Sequence, residues 1–442
     1  MTRPDVNVPD AEPLPKDCLT PTEPGKNPDK CLLDTFGVFV SPSGDDTKDG
    51  SKANPFKTIA KALGTTRSRI VVCEGEYPVS VDVARGVEIY GGVSCDFTKA
   101  GAKAKVVASK PSYGLKVSKV TAAVILADLE VVGMSAAAPS ESSVGVFVSE
   151  SVNVKLLRSK VEAGDGADAP GKKDGAFAMT AQAPKGGDAV GNAGGAASSS
   201  GVCAGGGMSA GGKGGDLGGQ GDDGAPRPPG GAKGAVALCN AGGGGNEGTP
   251  GTPGADRGGA TTLATLTPEG LTGSKAQDAP PGTIGGGGGG GYGTMGAGGA
   301  GGAGGCGGEG GFGGGAGGSS VALLVFASDV TVEASDLVAK NAKPGGAGGA
   351  GQAGQLGGSR GTGSNMACNG GNGAPGGTGG HAGGGPGGIA AGIVWSTGKE
   401  PKRDASSKIT RPTSPAPAGG EGGGGVATKG IEGVHADIFE VK

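Results

Sequence analysis

The sequence predicts an all-β protein: a right-handed parallel β-helix solenoid with an N-terminal cap helix, interrupted by glycine-rich insertions. The first observation is a series of short, β-branched or alternating runs between turn residues, which is typical of strands. The second is that similar runs return after long glycine tracts. The third is the glycine itself, which supplies 105 of 442 residues, 82 of them within residues 164–391. A conventional core therefore has to lie in the Val/Ile/Leu-rich stretches outside the tracts.

The first ordered elements are expected in residues 37–63, which read GVFVSPSGDDTKDGSKANPFKTIAKAL. The run from Val38 to Ser41 predicts a strand, and a Gly/Asp/Ser-rich loop follows it. In the stretch NPFKTIAKAL, Asn54 as N-cap and Pro55 at the first helical position predict a helix. Its apolar residues recur at helical spacing, and they are Phe56, Ile59, Ala60 and Leu63.

Strand-like runs then follow one another, among them RIVVCEG, VSVDV, GVEIYGGV and AAVILADLEVVG. Cys73 ends one such run, and Cys95 follows the next Gly-Gly turn, 22 residues later. A right-handed parallel β-helix advances by one coil in about that many residues, so the two positions would stack at about the 4.8 Å strand separation. A disulfide tolerates that Cα distance. Cys73 and Cys95 are therefore expected to join adjacent coils.

The stretch FVSPSGDDTKDGSKANPFKTIAKAL, followed by IVVCEGEYPVSVDVARGVEIYGGV, resembles the opening coils of bacterial β-helix proteins of the pectate-lyase-like superfamily. More narrowly, it is similar to a secreted group that contains the DUF1565 domain. The resemblance covers about residues 36–163 and implies a solenoid whose end is capped by a helix. It implies little about activity, because one fold hosts many functions.

The repeat continues across the glycine tracts. The run SSVGVFVSESVNV at 142–154 is echoed by SSVALLVFASDVTV at 319–332, and GIAAGIVWS and GVHADIFEV are further strand-like runs. The predicted organisation is a Pro-rich linker (1–35), N-terminal coils (36–163), a Gly-rich insertion (164–318), a coil (319–343), a second insertion (344–387), a coil (388–411), a short insertion (412–430) and a last strand (431–442). Ten side chains are expected to point inward, and they are Val124, Leu126, Val146, Val148, Val152, Val154, Leu323, Val325, Val330 and Val332.

The tracts have a period of three residues. Ala297, Ala300, Ala303, Cys306, Glu309 and Phe312 are spaced in this way, with glycine at the two positions between them. Polyproline II has three residues per turn, so each such set would form one ridge on a helix whose other two faces are glycine. Glycine faces let neighbouring helices pair their backbone groups. This composition resembles the polyglycine bundles of the snow-flea antifreeze protein and of some phage tail adhesins.

Two alternatives to an ordered bundle fit the tracts to different degrees. Collagen fits poorly, because it has one glycine per triplet and much more proline. A disordered, flexible Gly-rich linker stays open as the alternative to an ordered bundle.

The eight cysteines favour disulfides in an oxidising compartment over zinc, because their number is even and no C-x-x-C pair is present. The expected pairs join nearest neighbours in sequence, and they are Cys18–Cys31, Cys73–Cys95, Cys203–Cys239 and Cys306–Cys368. The connectivity of the last four cysteines stays open, because four cysteines allow three pairings. The expected location is extracellular or the outer cell surface, although the N-terminus shows no export signal. No apolar run is long enough to span a membrane.

Catalytic patterns are poor, and no catalytic residue, cofactor or metal ligand is assigned. The G-x-S-x-G match GMSAG at 207–211 is flanked by glycine rather than by a strand and a helix. Both histidines, His381 and His435, favour packing or solvated roles. The stretch DDTKDG at 45–50 has the early spacing of a calcium loop but lacks the bidentate acid, because Phe56 stands there. The charged coil residues Asp82, Glu88, Asp128, Glu130, Arg158 and Lys160 match no lyase signature.

These observations predict a secreted or cell-surface structural or adhesive protein whose β-helix scaffold presents a Gly-rich contact surface. A net charge of −3 with scattered Lys and Arg argues against a nucleic-acid partner. The expected partner is a polysaccharide or another surface protein. Two alternatives are a carbohydrate-active β-helix enzyme and an ice-binding protein.

Overall fold

A computed structural model describes residues 13–425 and 428–442. Within them the chain is mainly β-structure, with short helices α1 (Pro28–Cys31) and α2 (Ile59–Leu63) and 3-10 turns at Pro24–Lys26 and Cys239–Ala241. In chain order the strands are β1 (Val38–Val40), β2 (Arg69–Cys73), β3 (Gly75–Tyr77), β4 (Val81–Val83), β5 (Val87–Val93), β6 (Ala104–Val107), β7 (Leu115–Ser118), β8 (Val124–Ala127), β9 (Leu129–Val132), β10 (Ser143–Ser149), β11 (Val154–Leu157), β12 (Lys160–Glu162), β13 (Ala264–Thr267), β14 (Gly270–Gly273), β15 (Ser320–Ser328), β16 (Val330–Glu333), β17 (Asp336–Val338), β18 (Ile389–Gly398), β19 (Lys402–Arg403), β20 (Lys408–Thr410) and β21 (Val434–Glu440).

Three parallel sheets contain all of these strands except β13 and β14. Sheet 1 has the order β1-β2-β5-β8-β11-β16-β19, sheet 2 the order β3-β6-β9-β12-β17-β20, and sheet 3 the order β4-β7-β10-β15-β18-β21. From β2 onward the chain visits sheets 1, 2 and 3 in turn, so each circuit lays one new strand beside the previous one in every sheet. We call one circuit a coil and the whole assembly of sheets the coil stack. The all-β, parallel arrangement is consistent with a β-helix solenoid.

The core of the coil stack is a column of inward-facing Val, Leu and Ile side chains that extends from Val38 in β1 to Ile393 in β18. Nine of the ten side chains that the alternating pattern predicts to point inward are buried. The prediction for Val152 is wrong, since its side chain is 47% exposed. It lies in the turn between β10 and β11, next to Asn153 with its positive φ of 53°, and here the strand alternation is interrupted.

Helix α2 is shorter than the sequence predicts. Its N-cap is Thr58, whose side chain accepts a hydrogen bond from the N–H of Lys61, and not Asn54. Phe56 lies outside the helix, because it forms a parallel bridge with Val40 of β1. As a consequence Ala62 is buried, whereas Ala60 is exposed.

Residues 13–35, which the sequence analysis placed in a Pro-rich linker, pack on the outer face of sheet 1. Cys31, Leu32 and Phe36 are fully buried there against aromatic residues of the first coils. Arg158 fastens this segment, because its guanidinium binds the carbonyl oxygen of Thr22 at 2.5 Å and the carboxylate of Asp128 at 2.6 Å.

Strands β13 and β14 form an antiparallel hairpin that the sequence analysis did not predict. Ala264 and Leu266 of β13 pack on the outer face of sheet 3, against Phe147 and Leu324. The alternating run TLATLT, followed by the turn residues Pro-Glu-Gly, was the signal that could have indicated it. The hairpin covers apolar side chains of sheet 3 that would otherwise contact water.

Candidate functional site

The glycine-rich segments all leave the coil stack at the same corner. Residues 163–319 connect β12 to β15, residues 339–388 connect β17 to β18, and residues 411–433 connect β20 to β21. In each case the chain departs from sheet 2 and returns to sheet 3. Since the three coils are consecutive, the three insertions emerge side by side. The preceding coil makes the same connection with only residues 133–142, and this loop hydrogen-bonds to the start of the first insertion.

The insertions form one hydrogen-bonded body, which we call the bundle. Its bonds repeat every third residue. From Gly299 to Gly317, every third N–H donates to every third carbonyl oxygen from Cys368 to Pro386, at 2.8–3.0 Å. From Ala276 to Gly291, every third N–H donates to a carbonyl oxygen of the same 297–318 tract, here in antiparallel order.

Two tracts, residues 276–293 and 297–318, lie at the centre of the bundle. Among the described residues, six other segments of the bundle hydrogen-bond to the 297–318 tract, in addition to Ser140, Ala167 and Lys343 at its end beside the coil stack. These segments are 173–187, 195–198, 209–216, 276–293, 346–364 and 368–388. The interior of the bundle is therefore peptide backbone rather than apolar side chains.

Glycine is necessary at the contacts between tracts. A Cβ on Gly304 would overlap the carbonyl oxygen of Gly285, and a Cβ on Gly305 would overlap that of Gln355. The third residue of each triplet is not on a solvent-facing ridge in the centre of the bundle. Ala303 and Cys306 are 2% exposed or less, so even this position admits only small side chains there.

Two glutamine side chains replace backbone groups between tracts. Gln355 is 5% exposed; its amide oxygen accepts from the N–H of Cys306 at 3.0 Å and its amide nitrogen donates to the carbonyl oxygen of Thr180. Gln352, three residues earlier, bonds in the same way to both backbone groups of Phe177. The amides add to the direct backbone bonds between the 346–364 and 173–187 tracts, such as that from the N–H of Gly175 to the carbonyl oxygen of Ala350.

All eight cysteines form disulfides. Cys18–Cys31 and Cys73–Cys95 are the same pairs as in the sequence analysis. The other two predicted pairs are wrong, because the structure joins Cys203 to Cys306 and Cys239 to Cys368. The reason is the folding of the first insertion, which brings residues distant in sequence into neighbouring tracts. Both bonds therefore link a peripheral loop of the first insertion to a tract near the centre.

The nucleophile-like motif GMSAG has no catalytic surroundings. Ser209 is fully buried, and its hydroxyl donates to the carbonyl oxygen of Ala225 and accepts from the N–H of Gly304. The side chains of the two histidines also contact backbone groups. The Nδ1 atom of His381 accepts from the N–H of Gly351, and that of His435 lies 3.0 Å from the carbonyl oxygen of Ser414.

The charged coil residues singled out in the sequence lie on different faces of the coil stack, each beside a partner. Glu88 of sheet 1 bonds to Arg69 at 2.9 Å, and Asp128 pairs with Arg158 near the adjoining corner. Asp82 of sheet 3 accepts from the hydroxyl of Tyr113. The structure therefore brings together two pairs of the candidates, Asp128 with Arg158 and Glu130 with Lys160, but not the set.

Sheet 2 carries an alternating ladder of charges on its outer face. Six residues, one from each strand, are in register across the sheet and alternate in sign. They are Glu76, Lys105, Glu130, Lys160, Asp336 and Lys408. The hydrogen bonds that the Lys160 ammonium donates to the carboxylates of Glu130 and Glu162 raise the pKa of Lys160 above its usual value. This pattern has no separate sequence signal, because the alternation appears only when the coils are stacked.

The loop at residues 45–50 holds itself together with its acids. The carboxylate of Asp45 accepts from the N–H and the hydroxyl of Thr47, and that of Asp49 accepts from the N–H of Ser51. The Thr47 bonds lower the pKa of Asp45. Across residues 13–425 and 428–442, no group of three or more His, Cys, Asp or Glu side chains is placed to hold a metal ion.

Comparisons with known proteins bear on the coils and not on the bundle. In the described part of the chain, no helix has the length and apolar character needed to cross a membrane. Comparison with curated proteins and with solved structures finds no similar chain. Residues 42–150 match the family described as "Protein of unknown function (DUF1565)", and this match covers α2 and the strands from β2 to β10.

Proposed function

We propose that the protein is a secreted or cell-surface structural or adhesive protein, in which a right-handed β-helix solenoid holds the bundle as a rigid contact surface. One observation carries this proposal: three insertions leave the same corner of consecutive coils and hydrogen-bond into a single body. The three-residue period of those bonds further supports polyproline II helices as the conformation of the tracts.

The cost of the bundle supports a role for its shape. Glycine loses more conformational freedom on folding than any other residue, and the bundle buries few large apolar groups to compensate. The coil stack has its own apolar core and does not need the bundle for that core. The bundle is therefore best explained by the outer surface that it presents, to a polysaccharide or to another surface protein.

The disulfides support an extracellular location. Disulfides persist in oxidising compartments and are rare where thiols are kept reduced. Two of the four bonds are in the bundle, where they close loops of 103 and 129 residues. Bonds that close long loops restrict the unfolded chain most in the chain-entropy model, which offsets part of the cost of ordering glycine.

The alternatives receive less support. A carbohydrate-active enzyme needs acids and a base that converge on one groove, whereas the candidate charged residues lie on different faces and are paired. An ice-binding protein needs a uniform flat face. The exposed ridge that includes Ala353, Leu356 and Ser359 mixes side chains of different size and polarity.

Attachment and turnover assays on the intact chain test the proposal. Beads coated with the chain should attach to at least one surface from a panel of immobilised polysaccharides, cell-surface proteins and bacterial cells, and free chain should compete with the attachment. The same polysaccharides should show no new reducing ends or unsaturated products. Attachment to none of the surfaces would contradict the adhesive role. Cleavage of a polysaccharide would favour the carbohydrate-active enzyme.

A further inference from the structure

The bundle has a distal end at which several turns meet. The central 297–318 tract joins the coil stack at its C-terminal end, where β15 begins at Ser320. Its other end is therefore the one farthest from the coils. Among the described residues, five turns lie at this end, and they are 190–193, 216–219, 236–243, 293–296 and 364–367.

The five turns are bonded to one another as a platform. The N–H of Leu217 donates to the carbonyl oxygen of Asn192, and the hydroxyl of Ser364 donates to that of Gly191 at 2.8 Å. Thr294 donates to the carbonyl oxygen of Met366. The Cys239–Cys368 disulfide fastens the 236–243 turn beside the 364–367 turn. A surface fixed in this way loses little conformational entropy when a partner binds.

Every one of these turns exposes a large apolar side chain. The exposed fractions are 78% for Val190, 49% for Leu217, 67% for Val236, 67% for Leu238, 66% for Met295 and 79% for Met366. Turns are usually built from Gly, Pro, Asn, Asp and Ser. Since these six side chains are directed to solvent, they add little to the stability of the bundle. Their concentration at one end is unexplained by folding and indicates a contact surface.

The charges and side-chain types of the turns restrict the partner. Asp216 is the one ionisable residue in the five turns, and Lys213 lies 3.4 Å from its carboxylate. No lysine or arginine lies in the turns, so they do not suit an anionic membrane or a nucleic acid. The turns contain no Trp, and Tyr292, which directly precedes the 293–296 turn, is half-buried rather than fully exposed for anchoring at a lipid interface. Aliphatic side chains with two adaptable methionines suit an uncharged, apolar protein surface.

We propose that these five turns form a docking surface for a protein partner that offers an uncharged, apolar patch. The proposal rests on the proposed contact function of the bundle and assigns that function to its distal end. Binding buries the exposed Val, Leu and Met side chains without the desolvation of any unpaired charge.

A random peptide library displayed on phage is the probe. It is panned on the immobilised intact chain, and the enriched peptides are synthesised for measurement of Kd. The tip variant combines Leu238→Ser, Met295→Ser and Met366→Ser. The matched control combines Val202→Ser, Met208→Ser and Leu356→Ser, which are also exposed (71%, 57% and 60%) but lie away from the five turns. Unchanged amide exchange in the bundle verifies that both variants fold.

The expected peptides are apolar and uncharged, and their Kd rises at least tenfold for the tip variant but stays unchanged for the control. Equal binding to the tip variant, or no enriched peptide, overturns the proposal. If the wild type binds phosphatidylcholine vesicles and the tip variant does not, the partner of the five turns is lipid and the proposed protein partner is wrong. If the wild type forms a concentration-dependent dimer and the tip variant stays monomeric, the partner of the five turns is a second copy of the chain.

The bead assay separates the two proposals. If beads with the tip variant attach as well as wild-type beads do, the docking surface is wrong and the adhesive role stands. If wild-type beads attach to nothing while peptides still bind the five turns, the adhesive role fails and the docking surface stands.

Discussion

The carbonyl oxygen of Gln355 occupies the space in which a side chain on Gly305 would have to lie. Gly305 belongs to the central 297–318 tract, and Gln355 belongs to the neighbouring tract that runs in the opposite direction. The same relationship recurs along the bundle, for example between Gly308 and Gln352. Glycine in the tracts is therefore a packing requirement.

Replacing Gly305 by Val should destabilise the bundle. The added side chain would push two tracts apart and break their shared hydrogen bonds, at a cost of about 1–3 kcal/mol. Amide hydrogen exchange measured for residues 297–318 should show reduced protection. Ala353→Ser is the matched control, because Ala353 is exposed on the tract that contains Gln355. Rapid exchange of the whole tract in the wild type would instead indicate the flexible linker.

The coils could be predicted from the sequence because strand alternation and coil length are local signals. Val146, Val148, Leu323 and Val325 were placed inward on these grounds, and all four are buried. The prediction for Val152 is wrong because apolarity alone does not distinguish a strand residue from one in the adjoining turn. The predicted start of α2 at Asn54 is wrong because the tertiary bridge between Phe56 and Val40 overrides a favourable N-cap sequence.

Val325→Asp should prevent stable folding of the coil stack. Val325 is 1% exposed in β15, and an Asp there would bury a carboxylate without a partner, which costs roughly 3 kcal/mol or more. Val152→Asp makes the same chemical change at a position that is 47% exposed, and should change stability by less than about 0.5 kcal/mol. Thermal unfolding of both variants measures the difference. Equal effects would show that β15 is wrongly placed.

The charge ladder on sheet 2 should make stability sensitive to the sign of one residue. Lys160→Glu would put an acid between Glu130 and Asp336 in register, and should cost about 0.5–1 kcal/mol because like charges would lie directly opposite. Lys160→Met removes the charge alone and should cost less. The difference between the two variants in urea unfolding should shrink at high salt, because these groups are partly exposed. A difference that salt does not change would exclude an electrostatic cause.

Peptide mapping without reduction should find Cys203 bonded to Cys306 and Cys239 bonded to Cys368. Removing the first bond by Cys203→Ser with Cys306→Ser should lower the free energy of unfolding by about 2–5 kcal/mol. The Cys18→Ser, Cys31→Ser variant is the control for a short loop, since that bond spans only 13 residues. Cys203–Cys239 peptides would show that the first insertion is folded differently, and free thiols throughout would contradict the oxidising compartment.

The disulfides of the bundle could not be predicted from the sequence, in contrast to Cys73–Cys95. That pair depends on one coil length, whereas Cys203 and Cys306 meet only after the intervening chain has folded back on itself repeatedly. Tracts of nearly identical x-G-G triplets contain little information about which tract lies beside which. The distal docking surface was missed for the same reason, since its residues come from five separate turns.

Acid should weaken the bundle through Asp188. The carboxylate of Asp188 accepts from Lys185 and from the N–H and hydroxyl of Thr362, and so joins two tracts. The ammonium of Lys185 and these two Thr362 donors lower the pKa of Asp188 to about 2, whereas an Asp in an unfolded chain has a pKa of about 3.9. The unfolded chain therefore binds the proton first. The stabilisation is complete above pH of about 4 and is lost as the pH falls through about 2.

The comparison of wild type with Asp188→Asn isolates this group, because other carboxylates titrate in both proteins. Above pH of about 4 the carboxylate of Asp188 is charged in both the folded and the unfolded wild type. The melting temperature of the wild type should therefore exceed that of the variant in this range. The gap should narrow steadily between about pH 4 and pH 2, since protonation of Asp188 removes its ion pair with Lys185 and leaves a neutral group like the amide. A gap that stays constant over this range would mean that the charge of Asp188 contributes nothing to the contact with Thr362.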